Sequence, residues 1–580
     1  MSSTDEKRHT LAHLLATVAL EHDPKAQLGT GPVVENGFYY DIKFSDGKAP
    51  TPDDLPKWTK RMEELAKRHL VMERRHITLE EGRKMFKDQS FKLDLLEDFA
   101  KENRELTTYT LGNFTDLCAG GHCENTKEIS PGSFTLTKIS GAYWRANEKN
   151  PMLTRIYGLA FDTKEELEKH LRTLEEAKKR DHRKLGVELD LFTFSDLVGA
   201  GLPLWTPRGT LLRNLLDAYV WELRQNAGYE RVEIPHITKK DLYERSGHWD
   251  KYKDDLMRVS TREGYEFAMK PMNCPHHTQI YARKLWSYRE LPQRYSNTTM
   301  CYRDEQSGEL SGLSRVRAFT QDDAHVFCRM SQAKEEFLKI WDIVHTFYGS
   351  FGFSMRVRIS KHDPAHPEKY LGDTERWAFA EGMLTEIAKE KGADDAFDGI
   401  GEAAFYGPKL DFMAKDAIGR EWQVATIQLD MNMPERFELS CVNEKGEKER
   451  IVMIHAAIMG SIERFLSILI EHTAGEFPLW LSPVQARVLP IGEKHQAFAM
   501  EATETLRAAG LRVEMDASGE SLGKRIREAK LAKIPYTLII GDREVAMVGA
   551  TLESRSGGKI GQFPISEIST LLSQESENRS

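Results

Sequence analysis

The chain has 580 residues, 40% of them hydrophobic and 29% charged, a composition typical of a globular protein with roughly three to five domains. It has no apolar run approaching the roughly 18–20 residues of a membrane span and no signal-peptide core in MSSTDEKRHT, which excludes an integral membrane protein and favours a cytoplasmic location. The net charge of −9 argues mildly against a nucleic-acid partner, and the six cysteines, at 118, 123, 274, 301, 328 and 441, are too sparse for a disulfide framework.

The N-terminal segment carries two pairs of potential metal ligands. His9 and His13 lie four residues apart on a predicted helix, and Cys118 and His122 repeat that spacing further along the chain. Together they fit a zinc site, since zinc prefers histidine and cysteine ligands. Unrelated surface histidines are an equally open interpretation, because the chain has 19 histidines.

Residues 161–185 are predicted to form one long helix. A capping-box pair and an apolar stripe support it: Thr163 with Glu166, and Leu167, Leu171 and Leu174. We expect this helix to link an N-terminal domain, 1–160, to the middle of the chain. The basic stretch at 178–184 fits either a solvated helix face or an RNA contact.

The most informative run is RVRAFTQDDAHVF, residues 315–327, which reads as a strand. One face is mostly apolar, and the other carries Arg315, Arg317, Phe319, Gln321, Asp323 and His325. A polar face of this kind is solvent-exposed or lines a site. An upstream strand-like run ends at Arg303, and a glycine-containing loop joins the two, so we expect a hairpin that brings these arginines together. Clustered arginines without matching acids favour a bound anion such as triphosphate.

The C-terminal residues differ in pattern from the middle of the chain. The segment 186–482 mixes strands and helices, whereas residues 483–580 alternate β-α-β-α-β. This order predicts a separate small domain with a largely parallel sheet flanked by helices. Its basic helix offers Lys524, Arg525 and Arg527 as phosphate contacts, although a solvated helix face is an equal interpretation.

Several motifs of the middle segment resemble those of class II aminoacyl-tRNA synthetases. Arg303 with RVRAFTQDDAH resembles motif 2, GSIERF (460–465) resembles motif 3, and Pro235 fits the proline of motif 1. A narrower set resembles threonyl-tRNA synthetases in particular: MNCP (272–275), TQDDAH (320–325), FYGPK (405–409), WQ and TIQLD (422–430), and MIHAAIMGSIERF (453–465). Because the motifs occur in family order, the chain is identified as a member of this family.

The resemblance implies an α+β multidomain fold. Its parts are an N-terminal α+β editing domain (1–160), the linker helix (161–185), an antiparallel-sheet class II catalytic domain (186–482) and a C-terminal α/β anticodon-binding domain (483–580). The implied activity is ligation of threonine to tRNA(Thr), with ATP and Mg²⁺ as substrate, and hydrolysis of mischarged Ser-tRNA(Thr). The implied partners are threonine, ATP, tRNA(Thr) and a second copy of the chain in a homodimer; no membrane partner is expected.

The resemblance also implies roles for residues of the catalytic domain. Arg303 and Arg464 would bind ATP phosphates and stabilise charge at the α-phosphate, and Arg315 belongs to the same ATP-binding set. The amino acid and its adenylate would be held by the remaining matches: Gln321, Asp323, Tyr406, Lys409, Thr426 and Gln428. Gln423 also matches, but strict alternation places it on the opposite strand face from Gln428, so a bulge or turn is required between them.

Cys274, His325 and His455 match the family's zinc ligands one for one. Spacing alone does not identify them, since a buried thiol and two hydrogen-bonded histidines fit the same residues. The resemblance implies one catalytic zinc ion per subunit, with open positions that the amino and hydroxyl groups of threonine can fill. Such a site rejects valine, whereas serine lacks only a methyl group, worth about 1–3 kcal/mol. A second, hydrolytic site is therefore expected.

The N-terminal segment resembles the editing domain of bacterial-type threonyl-tRNA synthetases. The matching motifs are RHTLAHLL, GPVVENGFYYD (31–41), DLCAGGH (116–122) and GAYWR (141–145). The resemblance implies that His9, His13, Cys118 and His122 form an editing site, where an activated water hydrolyses seryl-tRNA with the help of Asp116. The metal status of this site stays open. Many family members begin with a small ubiquitin-like domain, and because this chain starts at the editing motif, a form lacking that domain is expected.

Some positions depart from the family pattern. His276 stands where glycine is common, and Glu544 matches a base-reading residue, whereas Gly519 and Glu553 replace asparagine and arginine. Anticodon reading is therefore expected to use different contacts. Two alternatives stay open: a non-catalytic RNA-binding paralogue, and a class II synthetase for another amino acid such as serine or proline. A paralogue would be expected to lose an arginine or a zinc ligand, and the editing motifs count against another amino acid.

Overall fold

The computed structural model describes residues 3–579, which divide into two compact units between Glu176 and Ala177. All six cysteines are free thiols, as the sequence predicts. Among residues 3–579, no helix is both long and apolar enough to cross a bilayer.

The N-terminal unit is built from a long helix, Ser3–His22, whose apolar side chains share a core with a five-stranded antiparallel sheet. The strand order is Gln27–Leu28, Gly37–Lys43, Met152–Ala160, Phe134–Tyr143, with Val33–Val34 also paired to Gly37–Lys43. A three-stranded sheet and three further helices complete it: Met72–His76, Thr107–Leu111, Phe114–Leu117, and Leu55–Ala66, Leu79–Met85, Ser90–Lys101. The predicted α+β fold of this part is confirmed.

The second unit is built on an eight-stranded sheet that is antiparallel except for the pair at each edge. Its strand order is Glu230–Arg231, Gln293–Tyr302, Ala318–Cys328, Val452–Ser461, Glu421–Asp430, Lys409–Lys415, Ser354–Lys361, Phe397–Ile400. One large apolar core joins this sheet to four helices: Pro207–Asn226, Met330–Gly349, Thr374–Glu390 and Ile462–Thr473. The predicted antiparallel catalytic core is confirmed.

Shorter elements surround this sheet. Two three-stranded sheets contain Ile237–Lys239, Glu266–Met269 and Arg258–Ser260, and Trp286–Ser287, Ser440–Val442 and Lys448–Arg450. A two-stranded sheet pairs Phe192–Thr193 with Leu204–Trp205, and the short helices are Lys240–Ser246, His248–Lys251, Cys274–Tyr281 and Asn432–Arg436.

The strand Ala318–Cys328 begins three residues later than predicted but keeps the predicted alternation. Gln321, Asp323 and His325 share one face, and all three line a cavity. Almost every residue of the strand is buried. The polar face therefore lines an interior site, which decides between the two interpretations of its pattern.

The predicted long helix at 161–185 is two helices, Lys164–Arg180 and His182–Glu188. The Asp181 side chain accepts a hydrogen bond from the backbone amide of Arg183, so it caps a new helix. The predicted capping box is present, since Thr163 and Glu166 exchange side chain–backbone hydrogen bonds. The predicted apolar stripe is wrong at its last residue, because the Leu174 side chain is 39% exposed.

The C-terminal residues form a mixed five-stranded sheet. The strand order is Val513–Met515, Ala486–Pro490, Tyr536–Ile540, Gly549–Ser554, Gly558–Pro564, and the helices are Gln496–Ala508, Leu522–Leu531, Asp542–Ala546 and Ile565–Glu577. The first three strands are parallel, as predicted. The last two pairings are antiparallel, because the short connections there can join only antiparallel neighbours. The predicted domain limits stay predictions.

A buried ion pair joins the helix Pro207–Asn226 to the strand Ala318–Cys328. Arg224 is 1% exposed, and its guanidinium contacts the fully buried carboxylate of Asp322. Arg224 also donates hydrogen bonds to Ser296 Oγ at 3.0 Å and to the carbonyl oxygen of Ala456 at 3.2 Å. One side chain thus connects a helix to three neighbouring strands.

Asp322 also completes the hydrogen bonding of a bulge. The neighbouring strand, Val452–Ser461, bulges between its pairings with Asp322 and with Ala324. Asp322 Oδ2 accepts hydrogen bonds from the amides of Ile458 at 3.0 Å and Met459 at 2.9 Å. Because a bulge removes backbone groups from the regular ladder, this carboxylate satisfies donors that would otherwise be buried without partners.

We expect Arg224→Met to lower the free energy of unfolding by about 3–5 kcal/mol, because it leaves Asp322 as an uncompensated buried charge. Chemical denaturation followed by tryptophan fluorescence measures the change. Arg231→Met is the matched control, since Arg231 pairs with Asp217 at the surface and exposed ion pairs contribute about 0–1 kcal/mol. Adding Asp322→Asn to Arg224→Met should recover part of the lost stability. Equal losses in Arg224→Met and in Arg231→Met would contradict this account.

Candidate functional site

A cavity of about 440 Å³ opens on the eight-stranded sheet. Side chains from several strands and loops line it, including Tyr252, Met272, Cys274, Arg303, Gln321, Asp323, His325, Tyr406, Gln423, Thr426, Gln428, His455 and Arg464. Of the catalytic-domain residues to which the sequence analysis assigns a role, Arg315 and Lys409 lie outside this lining, and so does Arg317 of the expected arginine cluster. The fold therefore brings together residues that are far apart along the chain.

Cys274, His325 and His455 form a cluster in the wall of this cavity. Their ligand atoms all lie within 4.8 Å of one another, and His325 Nε2 is 3.0 Å from His455 Nδ1. The two histidines are direct partners on neighbouring strands, and the cysteine begins a short helix. One thiol and two imidazoles are the donor set of a zinc site that keeps a position open.

The outer nitrogen of each histidine in this cluster has a partner. His455 Nε2 lies 3.0 Å from Asp430 Oδ2, and His325 Nδ1 lies 2.8 Å from His277 Nδ1. Such contacts orient metal-binding imidazoles. Burial lowers the pKa of His325 well below its usual value and raises that of the Cys274 thiol, and a bound cation would favour the thiolate. Sequence reasoning missed both supporting residues, since neither has an informative spacing.

Arg303 and Arg464 both line the cavity, as predicted. Arg303 lies 5.1 Å over the ring of Phe319, and its buried Nε has no hydrogen-bond partner within residues 3–579. Arg464 stands in the first turn of the helix Ile462–Thr473, 5.9 Å over the ring of Trp422. Two guanidinium groups that line one cavity favour an anionic ligand.

Arg315 and Lys409, which the sequence analysis assigns to the substrate-binding and catalytic residues, are paired with acids. Arg315 contacts Glu305 at 2.7 Å and Glu309 at 3.2 Å. Lys409 Nζ lies 2.7 Å from the buried Asp411. The expectation of clustered arginines without matching acids is therefore wrong for Arg315, because the connecting loop supplies the acids.

Gln423, Thr426 and Gln428 all line the cavity because the strand Glu421–Asp430 bulges. The pairing of this strand with its neighbour skips Val424. The extra residue shifts the alternation by one position. Gln423, before the bulge, therefore points to the same face of the sheet as Thr426 and Gln428 after it. The bulge that the sequence required between Gln423 and Gln428 is present.

Gln321 and Asp323 reach the cavity from the middle of the sheet, as predicted. Asp323 Oδ2 accepts a 3.0 Å hydrogen bond from Asn273, whose Oδ1 lies 3.1 Å from the buried Lys270 ammonium. Burial raises the pKa of Asp323 to about 6, although His455 and Asn273 act in the opposite direction. A carboxylate held in this way can accept a hydrogen bond from an ammonium group of a ligand.

The N-terminal unit has its own cluster beside a cavity of about 330 Å³. The ligand atoms of His9, His13, Cys118 and His122 all lie within 4.8 Å of one another. Cys118 Sγ is 3.2 Å from His122 Nε2 and 3.5 Å from His9 Nε2. Burial lowers the pKa of the three histidines and raises that of Cys118 to about 11. The sequence-predicted set is brought together, with neutral imidazoles.

Asp116 is buried beside this cluster, and its carboxylate is ion-paired. Lys92 Nζ lies 2.5 Å from Asp116 Oδ1, and Tyr40 donates a hydrogen bond to Oδ2. His13 Nε2 lies 3.9 Å from the same Oδ2. Lys92 and Tyr40 were not predicted. The signal available for Lys92 was a lysine inside the apolar helix pattern FKLDLL, where a charged side chain needs a buried partner.

Two C-terminal residues that the sequence suggested for RNA contacts are buried in intramolecular ones. The Glu544 carboxylate accepts hydrogen bonds from Thr551 at 2.8 Å and Gln562 at 2.6 Å. Arg525 is 3% exposed and donates to the carbonyl oxygen of Pro490 at 2.8 Å. Both side chains stabilise their own domain, so neither is free for the suggested contact in this conformation.

His276 lies inside the helix Cys274–Tyr281, so its backbone does not need the freedom of the glycine that is common in this motif. Its ring is buried and packs against Tyr243, at 6.2 Å between ring centroids. Burial lowers the pKa of His276 to about 4. The exchange is accommodated as a neutral, buried imidazole.

Three family descriptions match parts of this chain. Residues 257–473 match the tRNA synthetase class II core domain (G, H, P, S and T). Residues 485–575 match an anticodon binding domain, and residues 106–157 match the threonyl and alanyl tRNA synthetase second additional domain. The first range contains every residue that lines the 440 Å³ cavity except Tyr252, and the third contains part of the N-terminal cluster.

Solved structures are also similar. The RNA binding domain of threonyl-tRNA synthetase from Cryptosporidium parvum Iowa II is 37% identical, with a TM-score of 0.65, over 68% of this chain and 98% of that one. Prolyl-tRNA synthetase from Giardia lamblia, in complex with prolyl-adenylate, is 17% identical with a TM-score of 0.54, over 68% of this chain and 79% of that one. The second likeness concerns the fold alone.

Curated relatives match over nearly the whole chain. A threonine–tRNA ligase from Porphyromonas gingivalis is 47% identical over 98% of this chain and 87% of its own length. A threonine–tRNA ligase from Gloeobacter violaceus is 46% identical over 99% of this chain and 92% of its own length. The chain therefore belongs to the threonine–tRNA ligase family of class II aminoacyl-tRNA synthetases.

Proposed function

We propose that this chain activates threonine with ATP, transfers it to tRNA(Thr) and hydrolyses mischarged Ser-tRNA(Thr). The observation that carries the proposal is the single cavity shared by the Cys274, His325 and His455 cluster and by Arg303 and Arg464. Its donor cluster suits a metal ion that an amino acid can chelate, and its arginines suit the phosphates of a nucleotide. Adenylate formation requires both reactants side by side, and holding them there supplies much of the rate.

Arg303 and Arg464 bind the phosphates of ATP, which enters with Mg²⁺. Their charges stabilise the α-phosphate as the threonine carboxylate attacks it and pyrophosphate leaves. Asp323 accepts a hydrogen bond from the threonine ammonium group, with Gln321 beside it. Gln428 and its neighbours on the bulged strand surround the adenylate.

The donor set fits one zinc ion per subunit, held by Cys274, His325 and His455 and oriented by Asp430 and His277. When bound, the ion would supply coordination positions for the amino and hydroxyl groups of threonine. Valine lacks the hydroxyl, and sites that demand a polar group reject such analogues by roughly 10⁴–10⁵. Serine keeps both groups, so this selection separates it from threonine by only about 10- to 200-fold.

The N-terminal unit removes the serine that passes this selection. The neutral imidazoles of His9, His13 and His122 can accept hydrogen bonds from a water molecule and from the seryl hydroxyl. Lys92 fixes the Asp116 carboxylate close to His13, which orients that ring. Hydrolysis at a separate cavity then raises accuracy beyond what activation alone supplies.

We propose further that the chain works as a homodimer in the cytoplasm and binds tRNA through its C-terminal domain. The motif around Pro235 supports dimerisation, and the anticodon-binding match supports the tRNA contact. The non-catalytic RNA-binding alternative is less well supported, because both arginines and all three donors are present in one cavity.

Amino-acid-dependent ATP–pyrophosphate exchange on metal-analysed protein tests activation. We expect strong exchange with threonine, detectable exchange with serine, none with valine, and one zinc ion per chain. Cys274→Ala should lose the metal and at least about a hundredfold of the threonine-dependent exchange, because the amino acid loses its anchor.

Cys328→Ala is the matched control for this experiment. Its thiol is also buried, but it lies three residues beyond His325 on the same strand, on the face that packs into the apolar core. It should keep the metal and the exchange rate. Exchange that persists in metal-free protein would refute the zinc role, and no exchange with any amino acid despite bound zinc would favour the RNA-binding paralogue.

His13→Ala tests editing. We expect it to charge threonine normally but to accumulate Ser-tRNA(Thr), because the buried imidazole beside Asp116 is lost; Lys92→Met should behave alike. Deacylation of preformed Ser-tRNA(Thr) is the measurement. His22→Ala, on the last turn of the same helix, is the control, since it lies at the surface and contacts the carbonyl oxygen of Lys48. If His13→Ala deacylates Ser-tRNA(Thr) at the rate of the unaltered protein, His13 has no role in editing.

A further inference from the structure

His182 is a buried histidine outside the cavity, at the start of the helix His182–Glu188. Its Nδ1 lies 2.6 Å from Glu471 Oε1, and its Nε2 accepts a 3.0 Å hydrogen bond from the amide of Leu313. Because an amide can only donate, Nε2 must carry the lone pair and Nδ1 the proton. The two contacts thus define one neutral tautomer with both nitrogens satisfied.

The ligand geometry here resembles a metal cluster, but its acids are already occupied. Asp181, His182 and Glu471 have ligand atoms within 4.8 Å of one another. Arg183 contacts the Asp181 carboxylate, and Arg420 contacts Glu471 Oε2 at 2.5 Å. Guanidinium groups supply the positive charge that a metal would bring, so the cluster is a hydrogen-bond network.

On one side, this network fixes the loop between Arg303 and Arg317, whose ends meet through a 2.9 Å backbone hydrogen bond. Leu313 is fully buried, and Gly312 has φ +51° beside the imidazole. A Cβ atom at Gly312 would lie 2.3 Å from His182 Nε2, which leaves room for glycine only. The loop backbone is thus seated directly on the imidazole.

On the other side, the network supports the second arginine of the cavity. Glu471 lies on the helix that carries Arg464 two turns earlier. Arg420 joins Glu471 to Asp416, at 2.7 Å, and Asp416 accepts a 3.0 Å hydrogen bond from the indole of Trp422. The ring of Trp422 is the surface under the Arg464 guanidinium, at 5.9 Å.

We propose that His182 is a positioning residue for ATP: it links the loop that starts at Arg303 to the helix and indole that hold Arg464. The inference rests on the proposed function, since it assigns ATP phosphates to these two arginines. His182 touches no substrate. It acts by holding the two arginines at one separation, so its loss should weaken ATP binding and leave threonine binding intact.

The test compares His182→Leu with His182→Gln in threonine-dependent ATP–pyrophosphate exchange. Leucine fills the space without an acceptor, whereas the glutamine amide offers both an acceptor for Leu313 and a donor for Glu471. We expect the KM for ATP to rise about tenfold in the leucine variant, with the KM for threonine within about twofold, and the glutamine variant to recover most of the change. His472→Leu, the neighbouring histidine that stacks on Phe353, is the matched control and should leave both values unchanged.

Hydrogen–deuterium exchange of the loop gives a readout besides activity. The amide of Leu313 should exchange faster in the leucine variant and near the original rate in the glutamine variant. Glu471→Gln keeps the side-chain volume and tests the same link if the leucine variant does not fold; its KM for ATP should also rise. An unchanged KM for ATP in Glu471→Gln and in any folded His182→Leu would overturn the proposal.

Activation of threonine and the positioning role of His182 can be distinguished by experiment. If the unaltered protein shows no threonine-dependent exchange, the proposed function fails. If the unaltered protein is active and the substitutions raise the KM values for ATP and threonine equally, His182 is a structural residue and only the positioning role fails.

Discussion

The buried carboxylate of Asp322 connects a helix to the middle of the eight-stranded sheet. It is held by Arg224 on one side and by two backbone amides of the neighbouring strand on the other. A charged group this deep is tolerated only when its partners satisfy it completely. By accepting from the amides of a bulge, Asp322 makes that irregularity possible next to the cavity.

The consequence is visible on the opposite face of the same strand. Because side chains alternate, anchoring Asp322 in the core forces Gln321 and Asp323 toward the cavity. The bulge lies between His455, paired with His325, and the turn that leads to Arg464. One histidine of the donor cluster, His455, and the cavity arginine Arg464 therefore lie on one strand and on the helix that follows it. A second bulge, at Val424, adds Gln423 to the same wall.

The N-terminal unit also has a buried ion pair beside its donor cluster. Lys92 and Asp116 form a buried ion pair that Tyr40 completes, next to imidazoles that burial keeps neutral. In both units the charged groups are fixed by partners outside the donor clusters, and burial lowers the pKa of His325 as it does that of the three N-terminal histidines. Pre-organised polar groups of this kind are suited to bind and react without rearrangement.

The family, the fold class, the free thiols and most of the cavity lining can be predicted from the amino-acid sequence, because motifs and strand alternation are local properties. The alternation also predicts the bulge near Gln423. Which charged groups are free, in contrast, depends on contacts that form only in the folded chain. Arg315, Lys409 and Glu544 looked available in sequence and are paired, whereas Lys92, Asp430 and His182 looked ordinary and hold the sites in place. The reason is that a charge is satisfied by whichever partner the fold brings within hydrogen-bond distance, and here those partners are often many residues away along the chain.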